Sequence, residues 1–161
     1  MERVPMTVYG LQKLQDELDH LQKVDRPQIS EEIGIAREHG DLSENAEYHA
    51  AKEKQSFIEG RIAELTDKVG RAQAVDPLKM SGEKAMLSAT VDVINVDTDE
   101  EHIYVLVGPD EADLDKGLIS ITSPLGHSLL GKEEGDEATF RAPGGEHIYE
   151  IVSVAFKEID M

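Results

Sequence analysis

A chain of 161 residues without Cys can bury a real core as one medium domain or two small ones. It has no disulfide framework and no thiolate zinc site, which fits a reducing cytoplasm. Its formal charge of −18, pI of about 4.6 and 4% aromatics make it a poor candidate for gripping duplex DNA, since that affinity comes mainly from Lys and Arg on phosphates. The charge is uneven, −5 over residues 1–75 and −13 over 76–161, so any part that approaches nucleic acid is expected in the first half. The start, MERVPMTVYG, lacks a basic stretch followed by an apolar one, and no later run approaches the roughly 18 apolar residues of a membrane span. The expectation is a soluble cytoplasmic protein with no membrane role.

In chain order, Leu11, Leu14, Leu18 and Leu21 follow the 3-4-3 spacing of a helix packing along one face, with Thr7 placed as its N-cap. The heptad slips at Pro27 and resumes at Ile29, Ile33 and Ala36, so the spacing predicts a kink or short interruption near Arg26–Pro27. This helix should end at about His39, with Gly40 as the left-handed residue that closes it. A second helix is predicted from about Ser43 to Ala74 on Ile58, Ile62, Leu65, Val69 and Ala72, with Ala46, Ala50 and Ala51 facing Ile33 and Ala36 at a slim tip. Two helices of some 30 residues give an antiparallel coiled-coil hairpin roughly 45 Å long, which must project from its support. The hairpin buries its own stripe, which makes a monomer the expectation.

Residues 76–84, DPLKMSGEK, read as a linker. Over 85–161 the period changes to two, with strands predicted at 89–97, 102–107, 118–122, 137–140 and 147–154 and a turn at Pro143-Gly144-Gly145. In SPLGHSLLG, Ser123 is placed as N-cap and Pro124 at the first position of a short helix. The fold class is therefore α+β: a hairpin over 1–75, then a small domain on an antiparallel sheet.

The turn of the hairpin, HGDLSENAEYHAA at 39–51, carries two carboxylates three residues apart, Asp41 and Glu44. Asp-Leu-Ser-Glu matches a capping box, which explains both by local hydrogen bonding. A long hairpin is a poor way merely to stabilise a small protein, however, and the reach needs a use. Two exposed carboxylates suit a hard cation such as Mg²⁺, but without walls they would have to share it with a partner that already holds part of the site. His39 and His49 have no metal-ligand spacing on one helix face and read as surface residues. No Gly-x-Gly-x-x-Gly or Gly-Lys-Ser/Thr suggests nucleotide binding.

AREHGDLSENAEYHAAKEKQ, with MTVYGLQKLQDEL before it and DEADLDKGLISITSPLGHSLLGKEEGDEATFRAPGGE after it, closely resembles the bacterial Gre transcript-cleavage factors essentially end to end. That resemblance implies an N-terminal antiparallel coiled coil and a C-terminal domain (85–161) similar to the FKBP fold. It implies that the coiled coil enters the secondary channel of bacterial RNA polymerase and stimulates the polymerase's own cleavage of backtracked RNA at the extruded 3′ end. It makes the factor a cofactor of the polymerase rather than a free-standing enzyme. By the same resemblance Asp41 and Glu44 are the catalytic pair, holding a Mg²⁺ jointly with the polymerase and orienting or activating the attacking water. Arg37, Asn45, Tyr48 and Lys52 are implied contacts to RNA or polymerase near the tip. Ser43 stands where some relatives carry a basic residue. In SPLGHSLLGK, Ser123, Pro124, Leu125 and Leu129 are implied to dock on the polymerase at the channel rim. Alternatives are an anti-cleavage homologue that blocks the same channel, whose tip is more acidic than GDLSENAEY, and a coiled-coil adapter with no role at a metal. Peptidyl-prolyl isomerase activity is a further reading of an FKBP-like domain, but alternation should send some of Tyr104, Phe140, Tyr149 and Phe156 into the core.

Overall fold

The structure, a computed structural model, describes residues 2–40 and 45–161. By its contacts the chain divides into two units, Gln12–Arg71 and the remainder, Met1–Leu11 with Ala72–Met161.

The helical unit is built from α1 (Val8–His20) from Gln12 onward, a wider π-type turn (Leu21–Asp25), α2 (Arg26–Arg37) and α3 (Ala46–Arg71). The expected interruption lies just ahead of Pro27. Its ring would clash with the carbonyl four residues back, and the chain widens over the preceding turn, where the Arg26 amide donates to the Leu21 carbonyl. The seam is Leu21, Ile29, Ile33, Ala51, Ile58, Ile62 and Leu65, flanked by half-buried Leu14, Leu18 and Tyr48. Of the three alanines expected to face inward, only Ala51 is buried, while Ala46 and Ala50 are exposed. Outside the seam Arg26 grips Glu59 through two hydrogen bonds (2.8 and 2.7 Å) and Arg61 grips Glu17 likewise (2.6 and 3.0 Å). Both carboxyls are held below the ordinary glutamate range, first by their hydrogen bonds to Arg26 and Arg61. Such exposed pairs fix register more than they add stability. At 26 residues, α3 spans about 39 Å.

The second unit differs from the expected boundaries. Residues 4–7 and 72–75 are not ends of the hairpin helices but a parallel pair, β1 (Val4–Thr7) and β2 (Ala72–Val75), in register from Val4 with Ala72 to Thr7 with Val75. The segment expected as a linker packs within the same unit, with Pro77 buried and a 3₁₀ turn over Pro77–Lys79 capped by Asp76, whose carboxylate accepts from the Leu78 amide at 3.0 Å. The main sheet has five strands: β3 (Thr90–Asn95), β4 (Glu101–Val107), β5 (Leu118–Ser120), β6 (Glu137–Ala142) and β7 (Gly145–Ala155), in the order β5-β4-β3-β7-β6. All pairings are antiparallel except β4 with β5, and a bulge shifts the β3–β7 register between Asp92 and Val93. Helix α4 (Pro124–Leu129) begins as expected, with Ser123 Oγ accepting from the Gly126 amide at 3.1 Å. Val91, Val93, Leu106, Leu129, Tyr149 and Ile151 lead the core, and Tyr104, Phe140 and Phe156 pack against it. Burial and the neighbouring Tyr149 push the Tyr104 hydroxyl up to about 12.

At the start of α1 the sequence hides a buried carboxylate. Thr7 is the expected cap, its hydroxyl accepting from the Gly10 amide at 3.2 Å. Glu111 in turn accepts from the Thr7 amide (2.9 and 3.0 Å), the Thr7 hydroxyl and the Gly108 amide (2.6 Å). A carboxylate at a helix N-terminus is favoured by the free amides and the helix dipole. Burial nevertheless raises the Glu111 carboxyl above the ordinary glutamate value, and hydrogen bonds from Thr7, Gly108 and Gly10 pull against that rise. Gly10 leaves room for it, since a Cβ there would stand 2.1 Å from Glu111 Oε1.

Gly10→Ala should therefore cost about 1–3 kcal/mol by overpacking, read by urea denaturation. The raised carboxyl makes the native state hold its proton to higher pH than the unfolded chain. This group's contribution is full below its unfolded pKa and is lost as pH rises through the folded value. The stability of the unsubstituted chain relative to Glu111→Gln should accordingly decline as pH rises from about 4, the ordinary unfolded glutamate range, through the raised folded value.

Candidate functional site

The end of α2 tightens before the turn. Glu38, His39 and Gly40 donate to the carbonyls three residues back, at 3.1, 3.2 and 3.3 Å, and Gly40 takes φ +104°, the left-handed backbone expected of it. Asp41, Leu42, Ser43 and Glu44 lie outside the described residues, and with them the capping box and the catalytic and metal assignments of Asp41 and Glu44. The first turn of α3 is described, and its cap is Asn45. Asn45 Oδ1 accepts from the Tyr48 amide at 3.1 Å, and its carbonyl accepts from the His49 amide at 3.1 Å. The N-cap of the described start of α3 is thus Asn45, four residues beyond Asp41.

Asn45 also reaches across the hairpin, with Nδ2 donating to the Ala36 carbonyl at 2.6 Å. Beside it the Arg37 guanidinium lies 6.0 Å from the centroid of the Tyr48 ring, within cation–π range, and His49 meets the same ring edge-on at 5.6 Å. His39 Nδ1 stands 3.0 Å from a Glu47 carboxylate oxygen, so both histidines are surface residues with local partners. Three of the four expected contact residues, Arg37, Asn45 and Tyr48, therefore form one group spanning the two helices. Lys52 is on the next turn of α3, exposed, with Nζ donating to Gln55 Oε1 at 3.1 Å. Small residues thin the hairpin here and leave a groove of about 390 Å³ walled by Glu32, Ile35, Ala36, Glu47, Ala50, Ala51 and Lys54. Among the described residues no group of three or more His, Asp or Glu could hold a metal. The hard oxygen donors of the turn itself, the carboxylates of Asp41 and Glu44, suit Mg²⁺ by chemistry.

The second expected surface needs a correction. Ser123, Pro124 and Leu125 line an open apolar groove of about 440 Å³ with Leu114, Ile119, Phe140 and Pro143, but Leu129 is fully buried in the core and cannot face a partner. Helix α4 has only six residues, too few for its spacing to show which leucine points inward. Leu114 and Phe140, which sequence reading did not connect with this surface, come to it from a 3₁₀ turn and from β6.

Two family models divide the chain between them: "Transcription elongation factor, N-terminal" matches residues 4–74, and "Transcription elongation factor, GreA/GreB, C-term" matches residues 80–156. The chain belongs to the GreA/GreB family of transcription elongation factors. It is 57% identical to transcription elongation factor GreA of Hyphomonas neptunium over 98% of this chain and 100% of that one, and 56% identical to GreA of Thermodesulfovibrio yellowstonii over 97% and 99%. Among solved structures, GreA factor homolog 1 of Thermus thermophilus is 28% identical over 95% of this chain and 99% of that one, with a TM-score of 0.43. No helix among the described residues is long and apolar enough to cross a membrane.

Asn45→Ala should remove the cap and the cross-helix tie while leaving the seam intact. The Tyr48 and His49 amides should exchange about fivefold faster, for a local loss of about 1 kcal/mol, with little change in the global melting temperature. Hydrogen exchange followed residue by residue checks this.

Proposed function

We propose that the chain acts on bacterial RNA polymerase as a transcript-cleavage factor, inserting the hairpin through the secondary channel of a backtracked complex and stimulating the polymerase's own endonucleolytic cleavage at the nascent RNA 3′ end. The observation that carries this reading is the turn. Its two carboxylates lie in sequence between a helix closed by Gly40 and a helix capped by Asn45, in a chain that matches GreA relatives over nearly its whole length.

Asp41 and Glu44 are the groups that would hold Mg²⁺ jointly with the polymerase. When bound there, the cation supplies Lewis-acid stabilisation to the phosphodiester undergoing hydrolysis. The carboxylates would hold the cation through their oxygens and would accept hydrogen bonds from the attacking water, orienting it. Arg37 and Lys52 add positive charge near the turn, suited to the RNA backbone, in an otherwise acidic chain. Ser123, Pro124 and Leu125, with the groove beside them, form the docking surface for the polymerase. Elongation resumes from the new 3′ end.

Backtracked elongation complexes carrying 3′-labelled RNA test the proposal. The unsubstituted protein with Mg²⁺ should release short 3′ fragments promptly. Asp41→Ala and Glu44→Ala should each slow release by at least about 100-fold, the lower end for loss of a group that orients or activates reacting water, with polymerase affinity retained. Slower cleavage on adding the unsubstituted protein would instead identify an anti-cleavage homologue, and no effect at all would leave an adapter.

A further inference from the structure

We infer that one flank of the hairpin, from the groove at Ile35 and Ala50 to the Phe57 ring, is a protein-binding surface that takes an apolar segment of the polymerase's channel wall, while RNA is left to the opposite flank. The inference rests on the insertion proposed above.

The buried seam divides α3 into two flanks. Ala50, Lys54, Phe57 and Arg61 follow the i, i+4, i+7, i+11 spacing of one helix face, and Tyr48, Lys52, Gln55 and Glu59 follow the same spacing on the other, with Ala51, Ile58 and Ile62 buried between them. The ion pairs across the hairpin fall the same way. Lys54 meets Glu32 at 3.9 Å and Arg61 meets Glu17 on the first side, whereas Arg26 meets Glu59 on the second. The first flank is the apolar one. Ile35 is 50% exposed and Phe57 74%, and Ile35, Ala36, Ala50 and Ala51 wall the groove of about 390 Å³. Single exposed apolar residues are ordinary, but a branched aliphatic chain and an aromatic ring on the same flank as an apolar groove with a charged rim make a docking patch, whose energy sits in a few such anchors.

Charge decides between the two polymers available in the channel. The groove carries two carboxylates, Glu32 and Glu47, against one ammonium, Lys54, and Arg61 further along is held by Glu17 and Glu64. A phosphate backbone is repelled there, and no ring lines the groove for a base to stack on. The groups suited to RNA, the Arg37 guanidinium over the Tyr48 ring and the Lys52 ammonium, belong to the other flank. Position supplies the occupant. The groove starts at Ala36 and Glu47, on the helix ends nearest residues 41–44, and Phe57 stands roughly 16 Å along α3 from Ala46. When the turn reaches the polymerase's active centre this stretch is inside the channel, and the protein wall faces it.

Binding of the full-length chain, labelled at its N-terminus, to bacterial RNA polymerase tests the inference without reading cleavage. Fluorescence anisotropy gives the dissociation constant for polymerase free of nucleic acid, and again for backtracked complexes with extruded RNA. Ile35→Gln and Phe57→Gln should each weaken binding about tenfold, the loss of one anchor, and by the same factor in both settings. Glutamine suits an exposed helical position and neither change touches the seam, so circular dichroism should be unaltered. Ala50→Gln, which fills the groove from an exposed position, should weaken binding likewise and is read in place of either variant that loses helix. Unchanged affinity in both settings overturns the inference. A loss seen only with extruded RNA overturns it in favour of RNA on this flank. Sedimentation at the same concentrations tests a second copy of this chain as the occupant: an unsubstituted dimer that the substitutions convert to monomer, with polymerase affinity unchanged, also overturns it. An unsubstituted chain that does not bind polymerase strikes the proposed insertion and this inference together, whereas tight binding indifferent to Ile35→Gln and Phe57→Gln strikes only the inference.

Discussion

Two helices that close along one apolar seam draw their stability from that seam rather than from the stretch that joins them. In the helical unit Ile29, Ile33, Ile58, Ile62 and Leu65 meet each other, and the bidentate pairs of Arg26 with Glu59 and Arg61 with Glu17 hold register outside them. Burial of several large aliphatic side chains, each contributing about 1.5–3 kcal/mol, outweighs anything the turn can add or remove. The turn can therefore carry residues chosen for chemistry. The helix ends on either side of it are held by the Gly40 amide donating to the Arg37 carbonyl and by Asn45 Nδ2 donating to the Ala36 carbonyl.

The other unit uses a carboxylate in the opposite way. Glu111 is buried, and its desolvation is offset in part by donors from Thr7 and Gly108. Removing one partner of such a group costs more than the hydrogen bond itself contributes, because the other partner is left without water or protein. Glycine at positions 10 and 108 belongs to the same arrangement, since a Cβ at either would collide with Glu111 or with the Pro5 carbonyl.

Most of the helical unit was legible because heptad spacing reports a seam directly, and Gly40, Ser123 and Pro124 marked helix ends through local chemistry. Other features depend on partners far away in sequence. The pairing of Val4–Thr7 with Ala72–Val75 is parallel and short, with no alternation to betray it, and Ala72 continued the helical stripe by chance of composition. Glu111 looked like one more acid in an acidic chain, since nothing local announces a threonine 104 residues away. At the turn, Asp41 and Asn45 are both good caps, and the Asp-x-x-Glu pattern favoured the former. The Ala36 carbonyl, reachable only once the hairpin has closed, makes Asn45 the cap that holds α3. The carboxylate pair itself was legible as chemistry, and the use proposed for it comes from resemblance to a family.

The central claim is that the turn delivers its carboxylates to a cation held by the polymerase. Fe²⁺ substituted for Mg²⁺ in a backtracked complex generates hydroxyl radicals locally when peroxide is added, and these cut protein backbone beside the metal. Cuts in this chain should cluster around residues 41–44, should require the polymerase complex, and should fade when Asp41 and Glu44 are both replaced by alanine. Cuts confined to the sheet unit, or none in this chain while the polymerase itself is cut, would contradict it.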